Sequence, residues 1–467
     1  MNPFPNDYPR GWPPILLLAL ICYLTLFPHH DLLSPSLMEA RNFISAREIV
    51  ESGNWLIPTL NGEPRIAKPP LPTWLTALSA RMGGLDNLNA LRLPAALAAT
   101  LMMLFCYGLG RTLTTPRTAF LAAAVLATCQ LFIRMGRRGS WDIFCHSFML
   151  GGIWALTLAV RNSGRARGCF ILAGVGFGLA FMSKGPVPFY GMLLPYLIAG
   201  GLVYGLRPAR WPKRPNGWGV LLMVLTAILV AAPWPLYVLS QAGDLSLTVT
   251  QQETSAWLGR HIEPVWHYLS FPVNTGLWAP FALAVLIVPW MRPRMEGVGK
   301  YRFLLFWCLS ALVLLSVVPE KKERYLLPLM VPMAYLIGYL EDYLFRAGRL
   351  GATPGDLRLV KGTNLLLGLL AMVIAGECFW MDWQNRFDSN QSWLSIAVPG
   401  LIFLAGISFY NIRCRNWRLS VVMPGLLSCF LAVFALPYYA RYDHGNPHFR
   451  GLAASGSLPQ IKDLPLY

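Results

Sequence analysis

Long apolar runs recur along almost the whole chain, and no other feature restricts the fold as much. Stretches such as AFLAAAVLATCQLFI (119–133) and IFCHSFMLGGIWALTLAV (143–160) carry no acidic or basic side chain beyond one histidine. About 20 such residues, wound as a helix, cover the ~30 Å of hydrocarbon in a bilayer, and a helix satisfies its own backbone hydrogen bonds there. Runs of this kind begin near residues 12, 91, 118, 143, 168, 187, 218, 273, 302, 325, 362, 393 and 419, thirteen in all, those near 118, 168 and 325 being short or interrupted by Gly or Pro. With 55% hydrophobic and 13% charged residues among 467, the chain has too little polar surface for a water-soluble globule. The expectation is an all-α polytopic membrane protein with about 13 transmembrane helices. No internal repeat or inverted symmetry is visible, which counts against the commonest transporter plans.

The net charge of +17 would suggest nucleic acid in a soluble chain. In a membrane protein, basic loops instead meet anionic head groups or hold a charged substrate, so no nucleic-acid partner is expected. The nine cysteines form no CxxC pair and lie mostly inside apolar runs, which argues against a disulfide framework or a zinc site. TLFPHHDLL after the first run has no small-x-small step, so the first helix is expected to remain as an anchor. Basic residues in short loops fix orientation. RNSGRARG (161–168), RPARWPKRPNG (207–217), MRPRMEGVGKYR (291–302) and RCRNWR (413–418) are basic with almost no acid, and acidic residues gather in the alternate loops. This predicts the N-terminus inside and the C-terminus outside. Residues 1–440 then form the membrane domain, with a first outer loop at about 28–90, and 441–467 form a short outer tail.

Several cations fall on the outer side against that bias. They are the three arginines of RMGRRGSWD (134–142), Lys184 in MSKGP, the cluster PEKKERY (319–325) and Lys68 in RIAKPP. Cations retained there usually have an anion to hold, and a lipid phosphate is the one most available to helix ends. In the first outer loop, apolar residues recur at Leu37, Ala40, Phe43, Ile44 and Val50, with Glu39, Asn42 and Glu48 on other faces. This pattern predicts an interfacial amphipathic helix ended by Gly53. A Pro-rich extended crossing follows, then a second short helix near 73–82.

MEARNFISAREIVESGNWLIPTLNGEPRIAKPPLPTW (38–74) resembles the first periplasmic loop of the aminoarabinose transferase-like, protein mannosyltransferase-related glycosyltransferases of the GT-C fold. The pattern is acid-x-Arg (Glu39, Arg41), an A-R-E run, S-G-D/N-W-L-x-P-x-L-N-G, then K-P-P. Further matches are the Asp142 hairpin, MSKGPV (182–187), ETSAWLGRHIEPVWHY (253–268) and ERYLLPLMVP (323–332), so the similarity covers about the first three quarters of the chain in order. The resemblance implies a GT-C fold and transfer of one sugar from a polyprenyl (undecaprenyl) phosphate donor to a lipid, glycan or protein acceptor outside the bacterial inner membrane. Two departures stand out. Met38 occupies a place where these transferases commonly carry Asp, and the chain ends soon after its last run, so lipid A is not assumed as acceptor.

The chemistry follows from the residues as well. A polyprenyl phosphate leaves as a stabilised anion, so the site needs cations where charge grows and no strong general acid. Lys68, Arg137, Arg138, Lys184 and Arg324 are the candidate phosphate ligands, with Arg41, Glu253, His261 and Tyr325 as further substrate contacts. An acceptor hydroxyl needs a carboxylate to orient it and take its proton, a role for Glu39 or Asp142 in a single inverting displacement. A plainer reading stands beside each. Ser36 and Glu39 have capping-box spacing, Asp142 suits the first turn of any helix, Lys184-Gly is a common helix stop, and residues 320–324 can neutralise one another. A divalent ion at Glu39, Asp142 or His261, with His29, His30 and His267 near, is a weaker candidate because the histidine spacing matches no metal motif. The rivals are a lipid-linked sugar flippase or transporter, which needs no carboxylate base, and a protein O-mannosyltransferase.

Overall fold

The computed structural model describes residues 12–161, 166–205, 217–241, 262–295, 300–383, 394–414 and 417–437. The expected tail 441–467 and the candidates Glu253 and His261 lie outside them. All thirteen predicted starts fall on or within a few residues of a helix. After α1 (Trp12–Leu26) come the loop helices α2 (Leu37–Ser52) and α3 (Leu71–Gly83). The bundle continues with α4 (Leu88–Leu113), α5 (Pro116–Thr128), α6 (Gln130–Gly136), α7 (Trp141–Arg161), α8 (Ala166–Lys184), α9 (Leu194–Tyr204), α10 (Gly217–Ala231) and α11 (Pro233–Gln241). A 3-10 segment (Val265–Trp278) leads into α12 (Ala279–Leu286), α13 (Val288–Arg294) and α14 (Tyr301–Val317). A 3-10 turn (Glu323–Leu326) then precedes α15 (Leu327–Leu350), α16 (Pro354–Trp383), α17 (Leu394–Cys414) and α18 (Trp417–Phe430).

By length and apolar content, seven of the described helical segments are able to cross a membrane, or nine if the bent pairs α5–α6 and α10–α11 each count as one span. The count is below thirteen for identifiable reasons. Segments Pro13–Leu26, Phe189–Tyr204 and Tyr301–Val317 are apolar but short. α15 carries Glu341, Asp342 and Arg346, yet it is almost wholly buried, so its charges meet protein rather than lipid. One continuous core runs from Leu18 in α1 through Ala95 and Met102 in α4 and Tyr335 in α15 to Val421 in α18. Small residues bring helices close. A Cβ at Gly176 of α8 would lie 2.8 Å from the backbone nitrogen of Gly152 in α7, so these two backbones touch where any side chain would part them.

The first loop folds as the hydrophobic pattern predicts. Ser36 and Glu39 form a reciprocal capping box at the start of α2, and Gly53 ends it in the left-handed conformation at φ 73°. The Pro-rich crossing contains a two-residue hairpin, Thr59–Leu60 against Glu63–Pro64, whose turn is held by the Glu48 carboxylate accepting from the Asn61 and Gly62 amides. Trp74 of α3 donates to the carbonyl of Trp55 and Trp234 of α11 to that of Leu56, which fasten this crossing to the bundle.

Candidate active site

Asp142 sits in the first turn of α7, 3% exposed, and cations from three other parts of the chain converge on it. Lys184, the last residue of α8, donates from its ammonium to Asp142 Oδ1. Arg324, in the turn before α15, places Nε 3.7 Å from Asp142 Oδ2, and that buried N–H makes no hydrogen bond among the described residues. Lys68, from the Pro-rich crossing, lies over the Trp141 ring at 4.7 Å and feels Lys184, Asp142, Arg324 and Arg65 electrostatically. Arg65 lies over the same indole at 4.7 Å. Burial, then repulsion by Lys184, lowers the Lys68 ammonium to about 8. Among the described residues Lys68, Lys184 and Arg324 stand against the single carboxylate of Asp142, an excess of positive charge. Tyr325 forms part of the wall, with the Lys184 ammonium 4.7 Å above its ring and Arg324 at 5.5 Å.

The hairpin arginines divide their work differently from expectation. Arg137 is 5% exposed and gives its guanidinium to the carbonyls of Thr25 at 3.0 Å, His29 at 3.0 Å and Pro28. With its two terminal nitrogens so engaged it braces the hairpin against the end of α1, while its buried Nε has no partner among the described residues. Arg134 pairs with Glu323 at 2.7 Å, tying the hairpin to the turn that carries Arg324. Arg138 is half-buried and has no ion pair among the described residues.

Glu39, the other carboxylate candidate, is held by several partners. It is 1% exposed, and both oxygens are occupied. Oε1 accepts from Arg92 Nε at 2.9 Å and the Gly139 amide at 3.1 Å, while Oε2 accepts from the Ser36 amide and hydroxyl, both at 2.9 Å. The Gly139 carbonyl in turn accepts from Asn42 at 3.0 Å. Both polar groups of Gly139, three residues before Asp142, are therefore held by α2. Among the described residues Arg92 has no carboxylate partner but Glu39, and it completes the knot by donating to the carbonyls of His30 at 2.6 Å and Leu33 at 2.9 Å.

Arg41 is exposed and offers its carbonyl to Arg65 at 2.7 Å. His29 meets the carbonyl of Val433 at 2.9 Å, and His30, buried between Arg137 and Arg92, is lowered to about 3 by burial and then by those cations. His267 lies 3.7 Å from Glu263. Among the described residues no three His, Cys, Asp or Glu side chains come together as metal ligands would. Sequence reasoning passed over Arg65, Trp141 and Arg92. It also passed over His146, which is 2% exposed, one helical turn beyond Asp142, with a buried Nδ1 that has no partner among the described residues. Arg92 had a usable signal, a lone charge near the start of an apolar run.

The chain is similar to several known proteins. The profile of the dolichyl-phosphate-mannose-protein mannosyltransferase family matches residues 67–235. Undecaprenyl phosphate-alpha-4-amino-4-deoxy-L-arabinose arabinosyl transferase 1 of Pseudomonas fluorescens is 31% identical over 451 residues, covering 93% of this chain and 78% of that protein. The correspondingly named transferase of Pseudomonas aeruginosa is 28% identical and covers 90% and 75%. The crystal structure of ArnT from Cupriavidus metallidurans bound to undecaprenyl phosphate superposes with a TM-score of 0.70 at 18% identity, covering 96% of this chain and 78% of that one.

Proposed function

The chain belongs to the undecaprenyl phosphate-aminoarabinose arabinosyl transferase family, and from that premise we propose that its Asp142 cluster is where the sugar changes hands. The protein is a multi-pass membrane glycosyltransferase of GT-C fold that takes a sugar from a polyprenyl phosphate donor and places it on an acceptor. Our reading adds the residues. Lys68, Lys184 and Arg324 hold the donor phosphate, and Arg65 and Tyr325 line the same space. The carrying observation is the excess of charge, since one carboxylate faces three cations, Lys68, Lys184 and Arg324, and the Arg324 Nε–H is buried without a hydrogen-bond partner among the described residues. An anion entering there replaces water with donors already in place.

The acceptor hydroxyl attacks the anomeric carbon as the bond to the phosphate oxygen breaks. The electron pair leaves with the polyprenyl phosphate, the proton passes to Asp142, and the centre inverts. Glu39 and Arg137 do not touch the reacting atoms in this scheme; they fix the hairpin that presents Asp142. The named relatives suggest 4-amino-4-deoxy-L-arabinose as the sugar. The basic loops of the sequence support a cytoplasmic N-terminus and a periplasmic site in the bacterial inner membrane.

Asp142→Asn tests the assignment. It keeps the shape and removes the proton acceptor, so transfer from an undecaprenyl-phosphate-linked sugar should fall at least ~100-fold, the usual scale of a general base. Donor binding should remain measurable. Unimpaired turnover would remove Asp142 as the base.

A further inference from the structure

The far end of α7 holds a second feature that sugar transfer does not use. From Asp142 to Arg161 is about 29 Å of helix, close to the full hydrocarbon thickness, so Arg161 marks the membrane face opposite the active site. Beside it a cavity of about 440 Å³ opens between α7, α9, α10 and α14. Its wall is almost entirely hydrocarbon, with Leu156, Leu193, Leu197, Val220 and Phe303 among the lining side chains. Two of its few polar groups, Thr157 and Tyr196, satisfy each other at 2.8 Å. Water inside would find few partners, and an apolar void of this size would be costly if left empty. Leu197 on the wall is 42% exposed, so the cavity opens sideways to the surrounding hydrocarbon.

The mouth is basic. Arg161 lines it and has no ion-pair partner among the described residues. Lys300 reaches the same rim, its ammonium bonded to the Tyr204 hydroxyl and 5.0 Å above the Tyr204 ring. Arg167 and Arg302, at the neighbouring starts of α8 and α14, add charge of the same sign to this face.

We propose that this cavity is a binding site for one anionic phospholipid of the leaflet opposite the active site, an acyl chain filling the apolar space and the phosphate resting between Arg161 and Lys300. A hydrocarbon chain suits the wall, and an unpaired guanidinium at the rim suits a phosphodiester. The site lies a membrane thickness from Asp142 and so is distinct from that for the polyprenyl phosphate.

The test is native mass spectrometry of the full chain released from nanodiscs of phosphatidylcholine containing a minor fraction of phosphatidylglycerol, with no donor or acceptor present. The wild type should retain one phosphatidylglycerol in preference to phosphatidylcholine. Arg161→Gln should reduce that preference about fivefold, the worth of one basic residue near an anionic head group, and Arg161→Lys should keep it. Leu197→Trp, which fills the cavity from its open side, should abolish retention of either lipid. Equal retention of both lipids by the wild type, an undiminished preference in Arg161→Gln, or unchanged retention in Leu197→Trp would each overturn the proposal.

Discussion

A lysine half-buried among other cations holds its proton weakly, and Lys68 is in that position. Burial, followed by repulsion from Lys184, brings it to about 8, against the ~10.4 of an unfolded chain. A donor phosphate beside it reverses the balance by favouring the charged form. The sign follows directly. Below pH 8 the free protein already carries the ammonium and donor affinity is full; as pH rises through 8 binding must take up a proton, and affinity should fall by up to about tenfold per pH unit. Titrating binding of a donor whose sugar carries no amino group, so that its charge is that of the phosphodiester and constant in this range, from neutral to alkaline pH checks this. Lys68→Arg should flatten the decline because a guanidinium stays charged, and a profile unchanged by that substitution would detach the effect from Lys68. The same shift acts oppositely on the empty protein. Between about 8 and 10.4 the unfolded chain binds more protons than the folded one, so the burden of a charged Lys68 on stability is present below 8 and relieved above it.

At the scale of elements, α2 acts on the active site as a clamp. Glu39 and Asn42 hold both polar groups of Gly139, and Arg92 anchors Glu39 from α4, so the hairpin before Asp142 is fixed by a helix that never reaches the reacting atoms. Removing one member leaves a buried charge without its partner. Glu39→Ala should therefore lower stability by ~3–5 kcal/mol, visible as a reduced unfolding temperature in detergent. An unchanged unfolding temperature would mean that Arg92 does not depend on Glu39. A second weak point is the α7–α8 contact, where Gly176→Val should cost ~1–3 kcal/mol by forcing the backbones apart. The same elements explain how far the sequence could be read. The helices, the Ser36 cap, the Gly53 stop and the cations Lys68, Lys184 and Arg324 around Asp142 were legible because apolar period, cap chemistry and charge against the topological bias are local signals. The roles of Glu39 and Arg137 were not. Each depends on partners far along the chain, Arg92 and Gly139 for one and the carbonyls of residues 25, 28 and 29 for the other, and no spacing rule announces such long-range hydrogen bonds.

At the scale of the whole molecule, two basic regions a membrane thickness apart compete to set orientation. The Asp142 face carries Arg65, Lys68, Lys184 and Arg324, of which Lys184 and Arg324 pair with Asp142, and Glu320 and Glu323 pair with neighbouring cations. The second set is the loop sequences 161–168, 207–217, 291–302 and 413–418, in which Glu296 is the single acid. Uncompensated Lys and Arg in short loops resist translocation, while acids weigh little, so the second set should stay in the cytoplasm and turn the active site outward. Two exposed positions report the faces. Glu63 stands on the hairpin of the first loop, two residues from the arginine that covers Trp141, and Arg302 stands at the start of α14 on the Arg161 side. In a background freed of the nine native cysteines, Glu63→Cys should react with a membrane-impermeant maleimide added outside the inner membrane, and Arg302→Cys only after that membrane is opened. The reverse pattern would place Asp142 on the cytoplasmic side, and the donor phosphate would then have to be met in the inner leaflet.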